Sequence, residues 1–434
     1  ERREVVVCGG GPAALAAALA AARAQRAMGR EPSVRLIEVH GQLGGVWTSG
    51  LLSWILDAGN KDGLMADLLR RLDTRAARQA QTQGGIAYDP EEMKLLLERA
   101  CGEAGVAVRL HTRVVAAAVD QHRALSVAIT ESKSGREAFA GRVFVDATGD
   151  GDLAALAGCG FDFGRPADGP GSEGPDRAGE TQPFTLMCLI TGIDHDATAE
   201  FHERSGRPWA ASKDALQAEF RRAGVEPSYG RPTIFEIRPD LYAWMINHEY
   251  GLNGLDAQHL SDATLHARDE LFRNIDALRS LGGVWQNIRI IGTPAQIGVR
   301  EGRRIKGRYV VTVDDMMAGI RHDDAVCRVT FGIDVHSTSK THGTGIEGQA
   351  EKKRTKPYDV PYAALVAADV DNLLLAGRCI SGDFLAHSSY RVTGNSVAMG
   401  EAAGAAAAVA AHLGKAPHQL DYVREVRPMQ GHAD

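Results

Sequence analysis

No two of the six cysteines stand close together. Cys8, Cys101, Cys159, Cys188, Cys327 and Cys379 are scattered without a CxxC pair, which argues against a disulfide framework, a cysteine metal cage and a redox pair of adjacent thiols. They read as reduced thiols, and a cytoplasmic location is expected. The chain also lacks a basic excess: 49 Lys and Arg face 55 Asp and Glu, a net charge of −6 at pH 7. With aromatics at only 6% there is no basic aromatic patch, so neither nucleic acid nor an anionic membrane surface is expected as partner. Apart from Ala-rich helical segments, no apolar run of about 18 residues is free of charge, so no membrane span is expected. The first apolar run begins within a few residues of Glu1 and leaves no room for a signal peptide; a first residue other than Met leaves earlier processing open.

What is present describes an ordinary globular chain long enough for two domains: 434 residues, 44% hydrophobic and 24% charged. The most informative stretch is Val5-Val6-Val7-Cys8-Gly9-Gly10-Gly11-Pro12-Ala13-Ala14. An apolar strand meets three glycines, a helical pattern runs from Leu15 to Met28, and a second strand, Val34 to Ile37, ends in Glu38. Gly9 permits the turn out of the strand, Gly11 lets backbone approach a pyrophosphate, and Ala14 is the third small position for close packing. Helix-start amides favour phosphate, and Glu38 stands where a carboxylate accepts from ribose hydroxyls. This is a dinucleotide site, with nicotinamide and flavin dinucleotides equally open at this point.

A glycine-rich loop, Gly41 to Gly50, follows, then helices at Leu64–Ala77 and Pro90–Ala104. Four short strands (Val106–Leu110, Val114–Val119, Leu125–Ser132, Glu137–Val145) are expected to form a small antiparallel insert. The run Val145-Asp146-Ala147-Thr148-Gly149-Asp150-Gly151-Asp152 returns the chain to the first sheet. Its three acids read as a solvated turn with one acid at the nucleotide, rather than a metal site.

Phe161 to Pro183 reads as a linker. Residues 184 to about 348 mix strands (Phe184–Gly192, Ile234–Ile246, Tyr309–Thr312) with helices (Asp196–Arg204, Lys213–Ala223, and Ser261–Leu281 capped by Ser261). They read as an inserted α+β substrate domain. A second Gly-x-Gly-x-x-Gly, Gly343 to Gly348, leads into the charged stretch that holds Lys352-Lys353-Arg354-Thr355-Lys356, so it reads as a loop. His336 and His342 have no third ligand nearby, and no metal is expected. Finally a buried strand, Asn372 to Arg378, leads to His387, Arg391 and Gly394-Asn395-Ser396, which open a small-residue helix to Leu413.

With both ends in view, nearly the whole chain resembles FAD-dependent oxidoreductases of the glutathione-reductase superfamily, in the branch related to fumarate reductase and succinate dehydrogenase flavoproteins. The resemblance rests on GGGPAA at Gly9, Glu38, LGG at Leu43, VDATGDGDLA at Val145, REGRRIKGRYVVTVDD at Arg300, LLLAGRCISGD at Leu373 and HSSYRVTGNSVAMGEAAG at His387. It implies an α/β fold: a Rossmann-like FAD-binding domain in two parts, residues 1–160 and 357–434, around an inserted domain, 161–356. It implies that Gly9, Gly11 and Ala14 hold the pyrophosphate and Glu38 the adenosine ribose. Gly44 and Gly45 pass the flavin side, Asp150 and Asp383 lie near the phosphate or ribityl chain, and Asn395 and Ser396 lie by the pyrimidine carbonyls. Pro12, Ala13, Val39, Val46, Thr48, Val114, Ala147, Thr148, Gly149 and Gly377 complete the expected FAD set. In that branch the His and Arg of His-x-x-x-Arg contact a dicarboxylate; here the matching residues are His387 and Arg391. One departure stands out: Arg378 occupies a position that is Glu in those relatives.

The expected activity is a two-electron oxidation or reduction of a small polar molecule on FAD, with His387 as general base or proton donor and Arg391 holding an oxyanion or carboxylate. Tyr390, Arg300 and Arg303 are weaker candidates. The electron acceptor is unidentified and homo-oligomerisation is left open. The alternatives are a flavin monooxygenase or NAD(P)H-driven reductase, and a non-catalytic flavin-binding scaffold.

Overall fold

The computed structural model describes residues 1–82, 84–343, 346–347 and 354–430. Strand β1 (Val5–Cys8) is buried on every residue, as a strand covered on both faces must be. It leads into α1 (Pro12–Ala27) and then β2 (Val34–Ile37). Helix α2 (Pro90–Ala104) begins where Asp89 accepts from the amides of Glu91 and Glu92, and ends at Gly105 in the left-handed region. Next come β3 (Ala107–Arg109), β4 (Thr112–Val119), β5 (Leu125–Ser132), β6 (Gly135–Ala140) and β7 (Val143–Asp146).

Only β4, β5 and β6 form the antiparallel insert. β3 instead pairs parallel with β2, and the stretch expected as one strand breaks at Gly141-Arg142 so that β7 can pair parallel with β1. Alternation alone does not separate an edge strand of one sheet from the first strand of the next.

In the second core, β8 (Cys188–Thr191), β9 (Thr233–Arg238), β10 (Leu241–Met245) and β11 (Arg289–Gly292) form one sheet in the order β9-β10-β8-β11. The run Ile234–Ile246 is therefore a hairpin turning at Pro239-Asp240. Helices α3 (Trp209–Arg222) and α4 (Ala257–Ser280) cover it around Phe220, Trp244, Leu271 and Trp285. Helix α4 starts before Ser261, because the Asp256 carboxylate accepts from Gln258 and His259; the Ser261 hydroxyl donates back to the Ala257 carbonyl. The expected helix Asp196–Arg204 is only a single tight turn at Ala199–Phe201. Tyr309–Thr312 makes an isolated bridge, Val311 to Gly382, and then enters a capped helix at Val313. Of the second glycine motif, Thr344, Gly345 and Gly348 lie outside the described residues, as do Lys352 and Lys353.

The chain returns through β12 (Leu373–Leu375), α5 (Phe384–Tyr390) and α6 (Thr393–Leu413). The main sheet, all parallel, runs β12-β7-β1-β2-β3. Both ends of the chain share its core, so the architecture is mixed α/β around a Rossmann-like sheet. Helix α6 is long and apolar enough to cross a membrane by composition, yet 83% of its apolar window is buried inside the fold. All six cysteines are buried and free.

A buried acid gives a pH-dependent test. Glu401 on α6 is 3% exposed, and one oxygen accepts from the Leu64 amide at 3.0 Å. Burial pushes its pKa from 4.5 up to about 7. The folded state therefore holds a proton that the unfolded chain releases, and stability falls as pH rises through that window. Glu401→Gln is expected to leave stability near pH 5 unchanged and to raise it by roughly 1–3 kcal/mol at pH 8, read from denaturant melts.

Candidate functional site

The carboxyl ends of β1, β2, β7 and β12 meet at one crevice, where a doubly wound sheet places its ligand. Gly9 turns there with φ +109°, and a Cβ on it would stand 2.3 Å from the Ala147 carbonyl oxygen. Gly11 is the opposite case: nothing lies within 4 Å of where its Cβ would be, so its α-carbon faces open space. It caps α1 with no side chain, leaving first-turn amides for an anion. These features fit a dinucleotide pyrophosphate.

The cleft encloses about 980 Å³ of space outside protein atoms, part of it open to solvent. Most of the expected cofactor residues line it: Gly9, Gly11, Pro12, Ala13, Glu38, Val39, Gly45, Val46, Val114, Ala147, Thr148, Gly149, Gly377 and Ser396, with Arg391. Glu38 is 5% exposed, and one oxygen accepts from the His40 amide at 2.8 Å and meets His40 Nδ1 at 2.7 Å.

The remainder stand behind the wall. Ala14 is fully buried. The Gly44 amide donates to the Gly10 carbonyl at 2.7 Å, and the Thr48 hydroxyl donates to the Leu43 carbonyl, so both hold the loop in shape. Asp383 caps α5 through the Ala386 amide and accepts from the Val313 amide, both at 2.7 Å. Asn395 lies inside the first turn of α6, fully buried, its carbonyl oxygen 3.4 Å from the Cys327 thiol and its amide nitrogen without a partner.

Arg378 accounts for Asp150. Its guanidinium donates to the Gly149 carbonyl at 3.0 Å and the Val299 carbonyl at 2.6 Å, and its remaining arm pairs with the Asp150 carboxylate. Burial raises the Asp150 pKa and Arg378 opposes the rise. Asp150 thus holds Arg378 at the cleft instead of lining it. Sequence reasoning also missed Gly10, Ile37, His40, Thr112, Arg113, Asp152, Gln296, Ala376 and Thr393 in the lining. His40, two residues past Glu38, carried a usable signal; Gln296 comes from the second core and carried none.

On the side of Arg391 the two cores meet over a buried polar cluster. Arg391 donates to the Gln182 side-chain oxygen at 3.1 Å and to the Asp334 carbonyl at 3.0 Å. Arg300 donates to the Pro183 carbonyl at 2.6 Å and the Thr185 hydroxyl at 2.8 Å. His248 and His336 face each other edge to face at 5.0 Å, and Tyr229 lies 4.2 Å from His248. His248 Nδ1 meets the Tyr250 hydroxyl at 3.1 Å, and His336 Nε2 meets Asp334 at 3.4 Å. Among the described residues the other nitrogen of each ring is buried without a partner, as is the Gln182 amide nitrogen. Buried groups of this kind point to a ligand or to water. Burial, then Arg300, drives His336 down to about 4 and His248 well below its usual range, so both rings are neutral near pH 7. Tyr250 also lines a second cavity, beside Phe163, His259 and Thr338.

His387 does not line the main cleft. It is fully buried with neither ring nitrogen well hydrogen-bonded. Burial, followed by Arg304, Arg391 and Arg378, holds its pKa well down, and the Arg378 carbonyl opposes this only weakly. Tyr390 donates to the Ile380 carbonyl at 3.1 Å, and Arg303 pairs with Asp152 at 2.9 Å.

Comparison with known proteins agrees with the cleft. Residues 4–429 match the FAD dependent oxidoreductase family, and the chain belongs to it. It is a flavoenzyme whose cofactor is FAD. No curated protein sequence matches the chain. Among solved structures it is similar to OxyS anhydrotetracycline hydroxylase from Streptomyces rimosus, at 14% identity and TM-score 0.49, covering 99% of this chain and 66% of that one. The p-nitrophenol 4-monooxygenase PnpA from Pseudomonas putida DLL-E4 aligns at 12% identity and TM-score 0.49, over 99% and 88%. A geranylgeranyl bacteriochlorophyll reductase-like protein from Thermoplasma acidophilum aligns at 13% identity and TM-score 0.48, over 99% and 81%.

Proposed function

We propose that this enzyme oxidises or reduces a small polar organic molecule by two electrons, and that the molecule binds between the cleft and the polar cluster of the second core. The observation that carries the reading is Arg391, which lines the FAD cleft and reaches into a cluster of two neutral imidazoles, each with one nitrogen unpaired among the described residues. Bound FAD supplies the acceptor or donor of hydride at its N5. Arg391 and Arg300 hold a carboxylate or developing oxyanion. His387, buried behind the cleft lining, is the general base or proton donor of this reading for the substrate's O–H or N–H, and its access to the substrate is what the His387→Gln test reads. The α6 helix start, with Asn395 and Ser396, offers its positive end to the flavin. His387, Arg391 and Gly394-Asn395-Ser396 also support the link to the fumarate-reductase branch. A second substrate accepts the two electrons when the small molecule is oxidised, or supplies them when it is reduced, and the free thiols suit a cytoplasmic setting.

The test is anaerobic bleaching of the flavin band across alcohols, amines, sugars and acids. One class should bleach it, and His387→Gln should keep FAD while slowing bleaching by roughly 10²–10⁴-fold. Full-rate bleaching in that variant removes the role of His387. Bleaching by NADPH alone, with oxygen uptake only when an organic substrate is added, would replace the reading with a monooxygenase.

A further inference from the structure

Away from the cofactor cleft, the edge of the second sheet collects two histidines and a carboxylate. His195 and His202 come from the segment before α3, and Glu236 from the edge strand β9. One ligand atom from each lies within 4.8 Å of the others. Nδ1 of His195 is 3.8 Å and Nδ1 of His202 4.0 Å from the Glu236 carboxylate, and Arg204 Nε is also 4.0 Å away. These separations are too long for hydrogen bonds. They are close to those of two ligands that share one ion, about 3–4 Å apart.

The proton arrangement sets which atoms face the Glu236 carboxylate. The Thr198 hydroxyl donates its only hydrogen to the Asp194 carbonyl at 2.6 Å. Its 3.1 Å contact with His202 Nε2 therefore requires that nitrogen to be the donor. Nδ1 of the neutral ring then presents a lone pair toward Glu236. On the His202 side a lone pair thus faces a carboxylate that is 6% exposed; His195 Nδ1 also contacts the Tyr242 hydroxyl at 3.4 Å, whose hydrogen goes to the Pro239 carbonyl, so ligation through that nitrogen moves the His195 proton to Nε2. Glu203 adds a further acid. It is 2% exposed, one oxygen accepts from the Glu236 amide at 3.0 Å, and the other has no partner among the described residues. Fixing one nitrogen of a ligand histidine by a hydrogen bond on the other is the usual second layer of a metal site. The other comparable cluster, Glu249, His266 and Glu270, differs: His266 Nδ1 meets Glu249 directly at 2.9 Å and needs no ion.

We propose that His195, His202 and Glu236 bind one zinc-type divalent ion, with water in the open position on the side of His195. Two imidazoles and one carboxylate suit zinc and its first-row neighbours; magnesium and calcium prefer all-oxygen sets. The ion fastens the 193–204 segment, already bridged from His202 to Ile234, onto the sheet edge. The site is independent of the flavin reading.

The test uses tag-free, FAD-loaded full-length protein, stripped with a chelator and titrated calorimetrically with zinc chloride and, separately, magnesium chloride. The expected result is one zinc per chain, a higher melting temperature with zinc, no response to magnesium, and an unchanged flavin spectrum. His202→Ala and the near-isosteric Glu236→Gln should each lose at least the roughly 10–100-fold in zinc affinity seen when an outer-layer partner is removed. Absence of zinc uptake by the wild-type protein overturns the proposal, and so does equal uptake by folded Glu236→Gln protein.

Discussion

A Gly400→Val protein should purify without its flavin. A Cβ at Gly400 would stand 2.1 Å from the backbone oxygen of Ala13, and one at Gly404 would stand 2.0 Å from that of Ala17. No side chain there can swing aside, so α1 and α6 must separate. Ala13 and Ala14 form the first turn of α1, and Ala13 lines the cleft, so that separation moves the amides offered to the pyrophosphate. Overpacking typically costs about 1–3 kcal/mol, and a backbone clash lies at the upper end. The expected outcome is at least a tenfold lower flavin-to-protein absorbance ratio, on the order of the binding loss that about 1.4 kcal/mol produces. The melting temperature should fall by roughly 2–4 °C. Gly102→Ala is the control, since a Cβ there meets nothing within 4 Å. Normal flavin content in Gly400→Val would show that the helix pair yields without disturbing the loop.

Arg391→Met should keep FAD and lose turnover. The guanidinium is 12% exposed and joins Gln182 and Asp334, from different parts of the chain, to the cleft. Removing a preorganised charge beside the reacting centre should lower kcat/KM by about 10²–10³. Arg391→Lys should recover little, because an ammonium does not reproduce the planar fork. A second readout comes from charge. Arg391 is among the cations that depress His336 and His387. Without it both imidazoles hold their protons to higher pH, so the acid limb of the rate profile should move upward. A fall in rate with no movement of that limb would assign Arg391 to packing alone.

Local signals made the cofactor half legible. Gly9, Gly11 and Glu38 could be read because turn, helix start and strand tip lie within one βαβ unit and each follows from local chemistry. Pro90 marked the start of α2 by the same logic. Residues whose neighbours lie far away in the chain were less legible. Asp150 reads as a ligand-facing acid until Arg378 arrives from 228 positions on. Asp383 reads as a cofactor contact until the Val313 amide approaches it. Ser261 reads as a cap because Asp256, the stronger one, stands outside the apolar pattern.

By itself the sequence determined the nucleotide loop, the small-residue face of α6 and the FAD family, because these depend on backbone freedom, side-chain size and short-range order. Only the tertiary structure decided that Arg391 joins the cleft to His248, His336 and Arg300, and that His195 and His202 meet Glu236. Those groupings come from burying two cores against each other. Burial also removes water from the imidazoles of His248 and His336 and leaves one nitrogen of each without a partner among the described residues, a property that no spacing along a chain encodes.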